Sequence, residues 1–260
     1  MSKPPDSRIA GMNMERGLQM DFLFPVLLFL IAFLYSSVGH GGASGYLALM
    51  ALYGFAPDII RPTSLTLNIF VAGIAFFSYY KAGFFQIRLI LPFIITSVPA
   101  SFLGALVPIN PTVYKIILGI FLLCAAARIL FLRKSPGGQL SKPPLWLALI
   151  IGGILGFFSG MIGIGGGIIL SPVLILLRWA NMKEAAAASA FFILLNSVSG
   201  LSALNLDGLH YSNYMLYWIA IGIAGAIAGS YSGSFKIATA SLRYPLAFVL
   251  FIASIKLFFV

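Results

Sequence analysis

Ile162-Gly163-Ile164-Gly165-Gly166-Gly167 lies inside the apolar run 145–177, and Val38-Gly39-His40-Gly41-Gly42 lies inside the run 22–52. A glycine costs a helix interior about 1 kcal/mol relative to alanine, so both clusters predict helices that unwind locally. Where the surroundings are lipid, unwound backbone persists only against protein or a water-filled cavity. Paired interruptions in corresponding halves of a membrane chain point to a substrate site.

Composition says that the surroundings are lipid. The 260 residues are 60% hydrophobic and 8% charged, with a mean hydropathy of +1.03, whereas about a quarter of a soluble domain is charged. Apolar stretches of about 20 residues suffice to span a bilayer. They fall at 22–52, 62–80, 87–108, 112–132, 145–177, 185–205, 213–234 and 240–259. The expectation is an all-α polytopic, multi-pass membrane protein with seven or eight hydrophobic segments. Residues 1–21 form a polar tail without the pattern of a signal peptide. Cys124 is the single cysteine, which excludes an intrachain disulfide. A net charge of +10 would suggest nucleic acid in a soluble protein. Here the bilayer is the expected partner and nucleic acid is not, because loop Lys and Arg set membrane topology.

Residues 133–144 (RKSPGGQLSKPP) combine charge, glycine and proline and read as a linker between a first membrane half, 22–132, and a second, 145–260. The halves align as an internal repeat. Gly39, Gly41 and Gly42 match Gly163, Gly165 and Gly166; Asn68 matches Asn196; Gly83 and Gly104 match Gly208 and Gly229; Lys115 and Arg128 match Arg243 and Lys256. Each four-segment repeat opens with a glycine-broken helix. If the first segment crosses and the fifth folds back at its glycines, Lys and Arg gather on the cytoplasmic side better than if all eight cross. This predicts inverted repeats.

The breaks are the first candidate site, made of Gly39, His40, Gly41 and Gly42 in one and Gly163, Gly165, Gly166 and Gly167 in the other. Free backbone N–H groups and half-helix N-termini favour an anion, and Ser36, Ser37, Ser44 and Ser159 offer further donors. Close helix packing is the competing use of glycine in membranes and suits Gly225 and Gly229. Asn68 and Asn196 lie well inside their segments, where an unpartnered amide is costly. They are assigned to the site with Thr66, Ser197 and Ser199 as neighbours. His40 has Ile164 as its counterpart. Its two open roles are a proton or anion contact and a neutral ring bonded to a freed carbonyl. Asp21, Asp58, Glu184 and Asp207 all fall near segment ends, so a cation site, a metal site and a carboxylate relay are not expected. No cofactor is expected either. Lys115, Arg128, Arg243 and Lys256 flank their segments and are read as snorkelling to the interface.

Gly163-Ile164-Gly165-Gly166-Gly167-Ile168-Ile169-Leu170-Ser171-Pro172, the matching element at 39–45 and the asparagine-centred segment Ala185–Gly200 together resemble the sulfite exporter TauE/SafE family of membrane permeases. The resemblance covers residues 22–260; His40 and Ala43 are where the first motif departs from a plain glycine run. It implies secondary transport of small sulfur-containing anions, sulfite or organosulfonates, with the proton as coupling ion and alternating access around a central site. An anion channel on the same scaffold is the alternative, with homo-oligomerisation left open. Gly42-Ala43-Ser44-Gly45 also spells a rhomboid-protease motif, with His40 four residues from Ser44 as the base such an enzyme needs. The duplication argues against that, because a protease site would not account for the second glycine cluster.

Overall fold

The computed structural model describes residues 22–131, 140–204, 211–235, 251, 254 and 255. Among them are nine helices and no strand: α1 (Leu23–Ser37), α2 (Ala43–Leu52), α3 (Pro57–Lys81), α4 (Ile87–Leu106), α5 (Pro111–Phe131), α6 (Leu145–Ile162), α7 (Gly167–Leu176), α8 (Met182–Leu204) and α9 (Met215–Phe235). α3, α4, α6, α8 and α9 are long and apolar enough to cross a membrane. The tail 1–21, linker residues 133–139, the loop holding Asp207, Gly208 and His210, and Arg243 and Lys256 with most of the last segment lie outside the described residues.

Helix starts follow local chemistry. α3 begins with Pro57 at its first position and Asp58 in its first turn, where a missing N–H costs nothing and a negative charge meets the helix dipole. Asn181 caps α8: its Oδ1 accepts from the N–H groups of Lys183 and Glu184 at 2.9 and 3.0 Å, and Glu184 Oε2 accepts from the Asn181 N–H at 2.9 Å. That reciprocal pair is a capping box.

Both broken segments turn back on themselves. The ring of Phe24 at the start of α1 packs edge-on against Tyr53 just after α2, with centroids 5.1 Å apart. Near the tip, the hydroxyls of Tyr35 and Ser44 are 2.6 Å apart. In the second half, the Ser141 N–H just before α6 donates to the Arg178 carbonyl just after α7 at 2.8 Å. The expected crossing of the first segment is therefore corrected, because α1 and α2 form a re-entrant hairpin as α6 and α7 do. Four ring contacts join Phe24, Tyr53, Phe55 and Trp218 at the root of the first hairpin. The second root is closed by Phe93 against Trp179, 6.1 Å apart.

The long helices hold these hairpins from both sides. α6 runs parallel to α4, with Gly152, Gly156 and Gly160 set against the backbone of Phe93, Ser97 and Ser101 in turn. α9 runs parallel to α1 in the same way, with Gly225, Gly229 and Gly233 against Phe29, Phe33 and Ser37. Gly225 and Gly229 thus serve close packing, as read from the sequence, and small residues let two backbones approach where lipid supplies no hydrophobic drive. Gly104 also abuts the Phe157 carbonyl, as Gly229 abuts the Phe33 carbonyl. α3 and α8 cross antiparallel. Leu65 meets Gly200 on one side of the crossing, and Gly73 meets Leu194 on the other, with Asn68 and Asn196 between. Apolar side chains such as Ile95, Leu103, Ile150 and Ile154 face outward, as a lipid-facing surface requires.

Candidate functional site

The tips of the two hairpins meet at the α3–α8 crossing. A Cβ on Gly41 would stand 2.6 Å from Asn68 Oδ1 and 2.9 Å from Ile193 Cγ2. A Cβ on Gly165 would stand 2.7 Å from the same Ile193 methyl, 3.0 Å from Asn68 Nδ2 and 3.3 Å from Ser197 Oγ. The Asn68 side chain is therefore enclosed by one glycine from each break. Gly165 also has φ +78°, a left-handed conformation open to glycine and strained for other residues.

From this meeting point α2 and α7 run as half-helices to opposite ends of the bundle. Their N-caps, Gly42 and Gly166, bring no side-chain acceptor. Among the described residues no acceptor receives the N–H groups of Ala43, Ser44 and Gly45 in α2, or of Gly167 and Ile168 in α7. Two positive helix ends with unsatisfied donors thus start beside Asn68. Buried side-chain atoms beside the tips also lack a partner among the described residues: Asn68 Oδ1, Ser197 Oγ and Ser159 Oγ; so do both ends of the Asn196 amide on α8. Asn68, Asn196 and Ser197 are fully buried. Buried polar groups without partners cost about 1–3 kcal/mol each, so the fold retains a polar centre against its own stability.

His40 is buried and joins the first tip to the second hairpin. Its Nδ1 lies 2.9 Å from the Val38 carbonyl and its Nε2 lies 3.1 Å from Ser171 Oγ. A carbonyl only accepts, so Nδ1 carries hydrogen. Ser171 in turn lies 2.6 Å from Ser189 Oγ. The ring thus binds a carbonyl of the break and also reaches across to α7. Ser44, the serine of the protease-like motif, shares its hydroxyl with Tyr35.

Gly163 closes α6 with φ +88° and packs against the backbone of Arg61, while Gly39 packs against Ala186 at the opposite end of the crossing. Gly42 turns against the ring of Tyr46, and Gly167 against Ile193. Thr66 is not brought to the tips; its hydroxyl donates to the Pro62 carbonyl at 2.8 Å and lies 3.0 Å from the Tyr211 hydroxyl. Ser199 donates to the Val98 carbonyl, and Ser36 and Ser37 bond within α1.

Sequence reasoning missed Arg61. Its Nη2 donates to the Ala105 carbonyl at 2.9 Å and points at the Gly160 carbonyl at 3.4 Å, tying together the last turns of α4 and α6, where carbonyls lack helical partners. Ser64 donates to the Gly163 carbonyl and Tyr114 to the Ile162 carbonyl, both at 3.0 Å. The second tip is thus held by three side chains from α3 and α5. The pattern Ala56-Pro57-Asp58 was the available signal, since it starts α3 five residues before the apolar run and draws Arg61 into the bundle.

This geometry defines a polytopic membrane protein with a buried polar centre formed by two re-entrant hairpins. Residues 24–257 match the family described as sulfite exporter TauE/SafE. The chain is 37% identical over 240 residues to a probable membrane transporter protein, y4hK, of Sinorhizobium fredii, covering 89% of this chain and 96% of that protein. It is 28% identical over 244 residues to a probable membrane transporter protein, YunE, of Bacillus subtilis, covering 83% and 88%. No solved structure matches it. The chain belongs to the sulfite exporter TauE/SafE family and is a multi-pass membrane transporter, not an enzyme.

Proposed function

We propose that this transporter moves small sulfur-containing anions, sulfite or organosulfonates, across the cytoplasmic membrane, coupled to protons, by alternating access around the meeting point of the hairpins. The observation that carries it is the convergence of two half-helix N-termini on the buried, unpartnered polar groups of Asn68 and Ser197, with Asn196 assigned to the same site from the sequence. Free N–H groups and helix dipoles favour negative charge. The substrate sites of many transporters lie at such discontinuous helices. The family's name supplies the sulfur chemistry. His40, bridging the tips to Ser171 and Ser189, is the candidate for the coupling proton.

The test is purified protein in liposomes, given sulfite, organosulfonates, sulfate and carboxylates under an imposed pH gradient. Saturable anion uptake driven by the gradient is expected. Transport of cations or neutral sugars with anions ignored would overturn the substrate class, and non-saturating conductance would overturn the carrier. Asn68→Ala and Asn196→Ala are each expected to lower uptake about tenfold or more, and the double variant to reach background. A hydrogen bond to a charged ligand contributes about 1.5–3 kcal/mol. Unaltered uptake by the folded double variant would remove both residues from the site.

We further propose that residues 22–132 and 145–260 are inverted repeats joined by the linker 133–144. The antiparallel crossing of α3 and α8 at matched asparagines supports it, as do the matched contacts of Gly104 and Gly229. Lys81, Arg88, Lys142, Arg178 and Lys183 stand at the end of the bundle where α3 and α7 finish, which makes that end cytoplasmic by the positive-inside rule. The first hairpin returns to the other face, so Phe22 stands there, opposite Leu140. In a background without Cys124, Leu140→Cys and Leu206→Cys are expected to react with impermeant thiol reagents from opposite sides. Labelling of both from one side would overturn the inverted arrangement.

A further inference from the structure

We infer that the central site takes an anion that carries its own hydrogen-bond donor, and that it discriminates against anions of equal charge that only accept. The inference rests on the anion site proposed above and narrows the chemistry of its ligand. The donors at the site have been described: the N–H groups at the starts of α2 and α7 and the Ser197 hydroxyl. A ligand made only of acceptor oxygens would satisfy all of these. It would not satisfy the acceptor there. Asn68 turns its Nδ2 toward the Ile164 carbonyl, 3.5 Å away, which leaves its Oδ1 beside Gly41 with no donor among the described residues.

A buried amide oxygen that faces a bound anion's own oxygens is placed against partial negative charge at short range. A proton on the ligand reverses that contact. Sites built to bond a ligand's O–H or N–H reject the analogue that lacks it far more strongly than apolar pockets reject a missing methylene, because the site's polar groups are then buried unpaired. The ligand class is therefore an oxyanion that is protonated, or one that bears a hydroxyl or amino group, in preference to a fully deprotonated dianion or a plain alkyl sulfonate. For a protonated oxyanion the proton travels on the substrate itself.

The experiment compares anions of equal charge on the intact, purified protein: 2-hydroxyethanesulfonate with ethanesulfonate, and hydrogensulfite with methanesulfonate. The readouts are protection against thermal unfolding and competition in liposome uptake. The donor-bearing member of at least one pair is expected to act at concentrations about tenfold or more below its partner, with the advantage reduced in Asn68→Ala. Equal action within both pairs, or preference for the member without a donor, would overturn the inference while leaving the anion site standing. It would mean that the amide oxygen is served by water. Because the wild-type comparison carries the test, the outcome does not depend on whether the variant folds. Silence from all four anions in both readouts would overturn the anion site and this inference together.

Discussion

Gly165→Ala is expected to reduce uptake about a hundredfold while leaving the protein inserted and extractable. Gly165 has φ +78°, a conformation that costs a residue with a Cβ about 1–2 kcal/mol. The new methyl would stand 2.7 Å from Ile193 Cγ2 and 3.0 Å from Asn68 Nδ2, and overpacking of this kind costs about 1–3 kcal/mol more. A total of about 3 kcal/mol corresponds to a factor of about 100, and it falls on the side chains that surround the ligand. Gly83→Ala is the control. Gly83 has φ +80°, yet a Cβ there meets nothing within 4 Å. It carries the backbone strain without the collision, and uptake within about threefold of wild type is expected. Equal losses in the two variants would show that strain alone, and not crowding of Asn68, accounts for the effect.

Gly156→Val is expected to have the largest effect on stability. A Cβ at Gly156 would stand 2.5 Å from Ser97 Cα and 2.7 Å from its carbonyl carbon. Backbone atoms cannot rotate out of the way, so α6 must separate from α4 along the run from Gly152 to Gly160. Overpacking by one methyl costs about 1–3 kcal/mol where side chains can yield; here they cannot, and valine adds two more carbons. A loss of at least about 3 kcal/mol is expected, read as a large drop in thermal midpoint or in the monodisperse fraction after extraction. A variant of wild-type stability would show that α4 and α6 do not pack backbone to backbone. Gly153→Val is the companion measurement. One turn position away, its Cβ would meet only Thr96 Cβ at 3.8 Å, and a change within about 1 kcal/mol is expected, the scale of an exposed propensity effect.

The lipid solvent, the positions of the described helices and both breaks were legible in the sequence, because each rests on local composition or on order along the chain. The reversal at the breaks was not legible for the first segment. Hydropathy carries no direction, and Val38-Gly39-His40-Gly41-Gly42 reads alike whether the chain continues across or returns. The rings of Phe24 and Tyr53 that lock the return are separated by the whole segment. Arg61 was hidden for a different reason. Asp58 and Arg61 lower the hydropathy at the start of α3, so the apolar run begins after them, at Pro62, although the helix begins at Pro57. Thr66 failed on geometry. Two positions along a helix is about 200° around it, so a neighbour of Asn68 in sequence faces another side and meets Tyr211.

The length of the hairpins has a mechanical consequence. The second hairpin is rooted where Ser141 bonds Arg178, yet its tip ends beside Arg61, near the far end of α3. The first is rooted at Phe24 and Tyr53, and Gly39 ends beside Ala186 in the first turns of α8. Each is a lever whose handle lies at one face of the bundle and whose tip reaches just past the crossing at Asn68. A rigid tilt at the Ser141–Arg178 handle would move Gly163 against Arg61 and Gly165 against Asn68 together.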